Sequence, residues 1–142
     1  MPVFAHQNRE QLRRMYLEAW RKYCAGQPLE PLEGQIAAVI AEHREYVPLL
    51  ESPAAIAADF TPEGGQDNPF LHMGLHLAIR EQVATDRPPG IARIHRDLTR
   101  RLGDAHAAEH AMLERLAEAL WEAQRSGGMP DEQRYLERLQ GL

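Results

Sequence analysis

The stretch Asn68 to Ile79, NPFLHMGLHLAI, decides how this chain is read. Asparagine before proline marks a helix start. The Asn68 side chain can accept from the first free amides, and Pro69 sacrifices no hydrogen bond at the first helical position. The remainder of the stretch is apolar except for His72 and His76, four residues apart. At about 100° per residue, positions i and i+4 share a face. So apolar a helix belongs in a core, and both imidazoles are expected to point into it.

The flanking sequence predicts six helical segments and no strand. One runs from about His6 to Ala25, with Leu12, Tyr16, Ala19, Trp20 and Tyr23 on an inward face that carries no ionisable group. A second runs from about Pro31 to Glu45, with His43 amid Leu32, Ile36, Val39 and Ile40. Residues 46–61 read as a connector with a short helix after Ser52, and 62–67 as a turn-rich loop. The helix that opens at Asn68 ends at DRPPG. A fourth spans Ile91 to Leu102, a fifth is capped by Asp104 and reaches Arg125, and a last one covers Asp131 to Gln140. Short connections favour antiparallel neighbours. The expected fold is all-α, a single-domain helical bundle of about five to six helices over residues 1–142.

Composition agrees. Aromatics are only 6% while Ala, Leu, Glu and Arg abound, which favours helix over sheet. The net charge of −5 argues against nucleic acid as a partner. No apolar run approaches the roughly 20 residues needed to span a bilayer. Cys24 is the one cysteine, which excludes an internal disulfide and suits a cytoplasmic protein, and the N-terminus lacks the pattern of a signal peptide.

Helical projection places five of the seven histidines inward. His43 lies on the second helix, His72 and His76 on the third, and His106 and His110 on the fifth. Glu109 shares the fifth helix's apolar face, with Leu113, Leu116, Leu120 and Trp121. One histidine on an apolar face is ordinarily a hydrogen-bonded core residue. Five in one core need partners for ten ring nitrogens, and each buried polar group left unpaired costs about 1–3 kcal/mol. A metal ion satisfies one nitrogen of several histidines at once. The expected ligand set is therefore His43, His72, His76, His106 and His110, with Glu109 as carboxylate ligand or hydrogen-bonded support. The spacing HxxxH occurs twice, as HMGLH and HAAEH. The second also resembles the inverted zinc-peptidase motif, but those enzymes need a further glutamate well downstream and only 32 residues remain.

The phrases NPFLHMGLHLAIREQ, AGQPLEPLE and DAHAAEHAMLERLAEALWEAQ resemble one bacterial family of short proteins, a domain of unknown function, over nearly the whole chain. That resemblance implies no activity. A looser architectural likeness is to hemerythrin-like and DinB-like helical metal proteins. Hemerythrins carry HxxxE on one helix and HxxxH on another, whereas this chain has HxxxH twice.

The cofactor expected from these donors is a divalent ion, iron, manganese or zinc, as one ion or as two bridged by Glu109. A shell with an open position would suit dioxygen or peroxide handling, or hydrolysis by metal-activated water. Glu109 or Glu114 would serve as ligand or base, with Tyr46 near His43. Whether the chain is an enzyme stays open. The alternative is a non-catalytic interaction protein with hydrogen-bonded core histidines. Its docking face would be Arg93, Arg96 and Arg100, fitted to an acidic protein or a second copy of the chain.

Overall fold

The computed structural model describes residues 2–52, 54, 56 and 68–142, with side chains from Arg9 onward. The short helix expected after Ser52 and the loop at 62–67 lie outside the described residues. Among the described residues the fold is all-α, with seven α-helices and no strand. They are α1 (Pro2–Cys24), α2 (Pro31–Glu42), α3 (Val47–Leu50), α4 (Pro69–Thr85), α5 (Ile91–Leu102), α6 (Ala105–Ser126) and α7 (Glu132–Gln140). The count exceeds six because α3 is a single short turn. No helix of the described residues is long and apolar enough to cross a membrane. The chain divides into two compact units, Met1–Met73 and Gly74–Leu142, and the boundary falls inside α4.

In the first unit α1 packs on α2. Tyr16, Ala19 and Trp20 are buried, as are Ile36, Ala37, Val39 and Ile40. The inward face of α1 is rotated from the expected one. Leu12 and Tyr23 are half exposed, and Arg13, expected outside, is only 2% exposed. Its guanidinium lies over the Phe70 ring at 4.9 Å, and Nη1 donates to the Ile56 carbonyl at 3.1 Å. Tyr16 meets the same ring edge-on at 5.8 Å. A charge is tolerated there because its stem is apolar and its head is partnered.

The second helix stops at Glu42, three residues before the expected end. His43 leaves helical geometry at φ −130°, ψ 58°, and a 3₁₀ turn over Arg44–Tyr46 leads into α3. Pro48 supplies the reason. Inside one continuous helix it would clash with the Arg44 carbonyl and donate nothing to it. After the reset it sits harmlessly in the first turn of α3.

The second unit gathers Leu75, Ile79, Ile91, Leu98, Met112, Leu116, Tyr135 and Leu139 into one core. A fully buried side chain of this size contributes about 1.5–3 kcal/mol. Asp86 accepts from the Gly90 and Ala92 amides at 3.1 and 3.0 Å and starts α5. Gly103, at φ 73°, lets the chain turn into α6. Tyr135 of α7 donates to Gln82 at 2.8 Å, and burial pushes its phenol up. The inward face of α6 runs through Ala108, Met112, Leu116, Ala119 and Ala123. Leu120 and Trp121, expected inward, are exposed, Trp121 at 57%. α7 packs on α6, and the cleft lined by Ala119, Ala123, Tyr135 and Arg138 lies on the small-residue side. The Arg125 guanidinium lies over the exposed Trp121 ring at 4.7 Å.

Candidate metal centre

The centre is assembled from two helix starts. Asn68 accepts from the Phe70 and Leu71 amides at 3.0 and 3.2 Å, which sets the phase of α4. That phase puts His76, and Arg80 one turn later, on one side of the helix. Asp104 accepts from the His106 amide at 3.0 Å, so α6 begins at Ala105 with His106 in its first turn. Glu109 and His110 come three and four positions on, facing the same way.

His76 is completely buried and Glu109 is 7% exposed. His76 Nδ1 donates to Glu109 Oε1. A carboxylate only accepts, so the Nδ1 nitrogen carries the proton of that bond. Arg80 Nε donates to both oxygens of Glu109 at 3.1 Å, and Nη2 approaches Oε1 at 3.1 Å. Burial works to raise the Glu109 carboxyl. Hydrogen bonds from His76 and Arg80 outweigh it and hold the group below the usual carboxylate range.

His76, His106 and His110 form a triangle of rings. Centroids lie 5.2 Å apart for His76 and His106, 4.8 Å for His76 and His110, and 4.9 Å for His106 and His110. One donor atom from each lies within 4.8 Å of those of the others. Two nitrogens bound to one ion at about 2.0–2.1 Å are at most about 4.2 Å apart. The three imidazoles could therefore hold a common ion once their donor atoms draw a few tenths of an ångström closer. Glu109 is not among the residues whose donor atoms converge, and its oxygens accept from His76 and Arg80. The arrangement is that of a ligating histidine whose second nitrogen is held by a carboxylate.

The first unit holds the other two predicted histidines together. His43 is buried and donates from Nδ1 to the Val39 carbonyl at 2.8 Å. Tyr46 stacks on it at 5.7 Å, as its sequence spacing suggested, and His72 meets both rings edge-on at 5.1 and 6.0 Å. Glu114, weighed as a ligand or base, is exposed. Arg80 was missed from sequence, although its spacing from His76 put it on the histidine face. Arg93 and Arg100 are exposed and both lie near Asp97, at 4.0 and 3.9 Å.

Fold and site together define an all-helical protein with a partly buried imidazole cluster that could hold a metal ion. The chain belongs to the family of the domain of unknown function DUF1841, whose model matches residues 8–141. No curated protein and no solved structure matches the chain, and the likeness to hemerythrin-like and DinB-like proteins therefore gains no support.

Proposed function

We propose that this protein binds one divalent metal ion, zinc or iron(II), through His76, His106 and His110. The observation that carries the reading is the triangle of imidazoles whose one buried carboxylate is turned away. Glu109 engages His76 and Arg80, which supports reading it as a hydrogen-bonded support for His76 rather than as a bridge or oxygen donor. An all-imidazole set suits zinc and iron better than manganese, which favours carboxylate oxygen. Three protein donors leave a coordination position for water or a substrate. A bound ion there would supply Lewis acidity and a water that ionises near neutrality, or at iron a seat for dioxygen or peroxide. The protein's own contribution is to hold His76 by its Nδ1 and to keep water from its buried ring.

His43 and His72 enter the same proposal on their sequence pattern, His43 as the added imidazole and His72 in support. A cytoplasmic setting is also proposed, since a reducing compartment keeps the exposed thiol of Cys24 reduced. The experiment is elemental analysis of tag-free protein, for the wild type and for His76→Ala, His110→Ala and His43→Ala. One zinc or iron per chain in the wild type and none in the first two variants supports the reading. Loss in His43→Ala adds that residue to the set. Metal-free wild type that ignores added zinc and iron in a thermal melt would sink it, leaving hydrogen-bonded core histidines. The exposure of Arg93, Arg96 and Arg100 favours a second reading, a docking face for an acidic partner or a second copy.

A further inference from the structure

Resting on the metal-site reading above, we infer that Arg80 is the positioning residue of the centre. By gripping Glu109 it keeps that carboxylate on His76 Nδ1 and so fixes Nε2 as the nitrogen that meets the ion. Arg80 lies one turn beyond His76 on α4, and one helix therefore presents both donors to one carboxylate. The two residues restrain Glu109 unequally. His76 offers a single N–H, about which the carboxylate can still swing. Arg80 reaches both oxygens from Nε and approaches one of them again through Nη2, all at 3.1 Å. The planar guanidinium fork fixes the carboxylate plane as a point charge would not.

The consequence lies in the tautomer of His76. With Glu109 held in place, the Nδ1–H form has a carboxylate acceptor. With Glu109 released, the Nε2–H form becomes accessible, and its proton occupies the donor nitrogen. The location of Arg80 suits this task. Its side chain is 32% exposed while that of Glu109 is 10% exposed, so the cation stays partly hydrated while it directs a buried anion. Arg80 acts through Glu109 and is not itself among the metal-capable histidines, so its role is positioning rather than catalytic.

The test compares the wild type with Arg80→Gln, Arg80→Lys, Glu109→Gln and the double variant Arg80→Gln/Glu109→Gln. The first readout needs no metal: the His76 tautomer in metal-free protein, by two-bond proton–nitrogen NMR. The wild type should show Nδ1–H, and Arg80→Gln a mixture of both forms. Arg80→Lys, which keeps the charge and loses the fork, should fall between them, and it carries the test if the glutamine variant does not fold. The second readout is zinc affinity by competition with a coloured chelator. Arg80→Gln should weaken it about 10–100-fold. The same change should add little in the Glu109→Gln background, because the arginine acts through the glutamate. An unchanged tautomer in both arginine variants overturns the inference, whatever the zinc affinity. So does a zinc loss that persists undiminished when Glu109 is already glutamine. If the wild type takes up no zinc and the tautomer still shifts, the positioning role stands and the metal reading falls.

Discussion

Replacing Glu109 by alanine isolates the buried polar chain from the metal question, because it can be read in chelator. The carboxylate is 7% exposed and accepts from His76, which is completely buried, and from Arg80, which is not. Truncation leaves two donors behind with different fates. The Arg80 guanidinium can turn to solvent along its flexible stem, so its loss costs little. The Nδ1–H of His76 has no route to water, and a stranded buried donor costs about 1–3 kcal/mol. Removing the carboxylate also removes its own desolvation penalty, which keeps the total below the 3–5 kcal/mol seen when fully buried pairs are broken. The net loss is then about 2 kcal/mol. For 142 residues the unfolding entropy is about 0.3 kcal/mol/K, so the melting temperature should fall by about 7 °C. The pH dependence has a fixed sign. The Glu109 carboxyl is lowered in the folded protein, so its contribution is complete above the ordinary carboxylate value of 4.5 and is lost as pH falls through the lower folded value. The gap between wild type and variant should therefore be constant from neutral pH down to about 5 and close below about 4. Circular dichroism melts in chelator across that range provide the assay. A variant that melts within about 1 °C of wild type at neutral pH, where about 7 °C is expected, would refute the reasoning.

Zinc at a hundredfold excess over its dissociation constant should stabilise the wild type by about 2.7 kcal/mol, or about 9 °C, and His110→Ala should abolish the shift in calorimetry. Zinc affinity should fall as pH drops below about 6.5, where protons compete for imidazole nitrogen, which titration calorimetry at several pH values can check. Charge reversal at Arg93, Arg96 and Arg100 should change stability by no more than about 1 kcal/mol per site, because exposed pairs contribute weakly; a larger loss in denaturant titration would mean that the face is covered. Arg13→Ala should cost about 2–4 kcal/mol through lost contacts to Phe70 and the Ile56 carbonyl, whereas Arg14→Ala, on the exposed side of the same turn, should cost less than about 0.5 kcal/mol by the same titration.

The helical character of the chain and most helix ends were legible because their causes are local. Asn68 with Pro69, Asp104, Gly103 and Asp131 act within one turn of where they stand, and the structure puts helix boundaries at each of them. Two ends differ: α1 begins at Pro2 rather than near His6, and the end of α2 turns on Pro48, five residues beyond His43, which the apolar pattern masked. Histidine spacing was legible for the same reason. HAAEH places His106, Glu109 and His110 on one side of any helix, and the structure buries Glu109 and half-buries both imidazoles.

Periodicity gives the direction of a side chain relative to its own helix, but only packing decides which direction is inside. That is why α1 buries Arg13 in place of Leu12, and why α6 turns Ala119 and Ala123 inward and leaves Trp121 out. The role of Glu109 belongs with these. Its position on the apolar face was set by its number in the chain, and from that alone it was equally a ligand, a bridge or a support. What tertiary structure adds is its partners on α4, a histidine nitrogen and an arginine fork 33 and 29 residues away in sequence. Contacts that distant are made by tertiary packing, which no local pattern encodes.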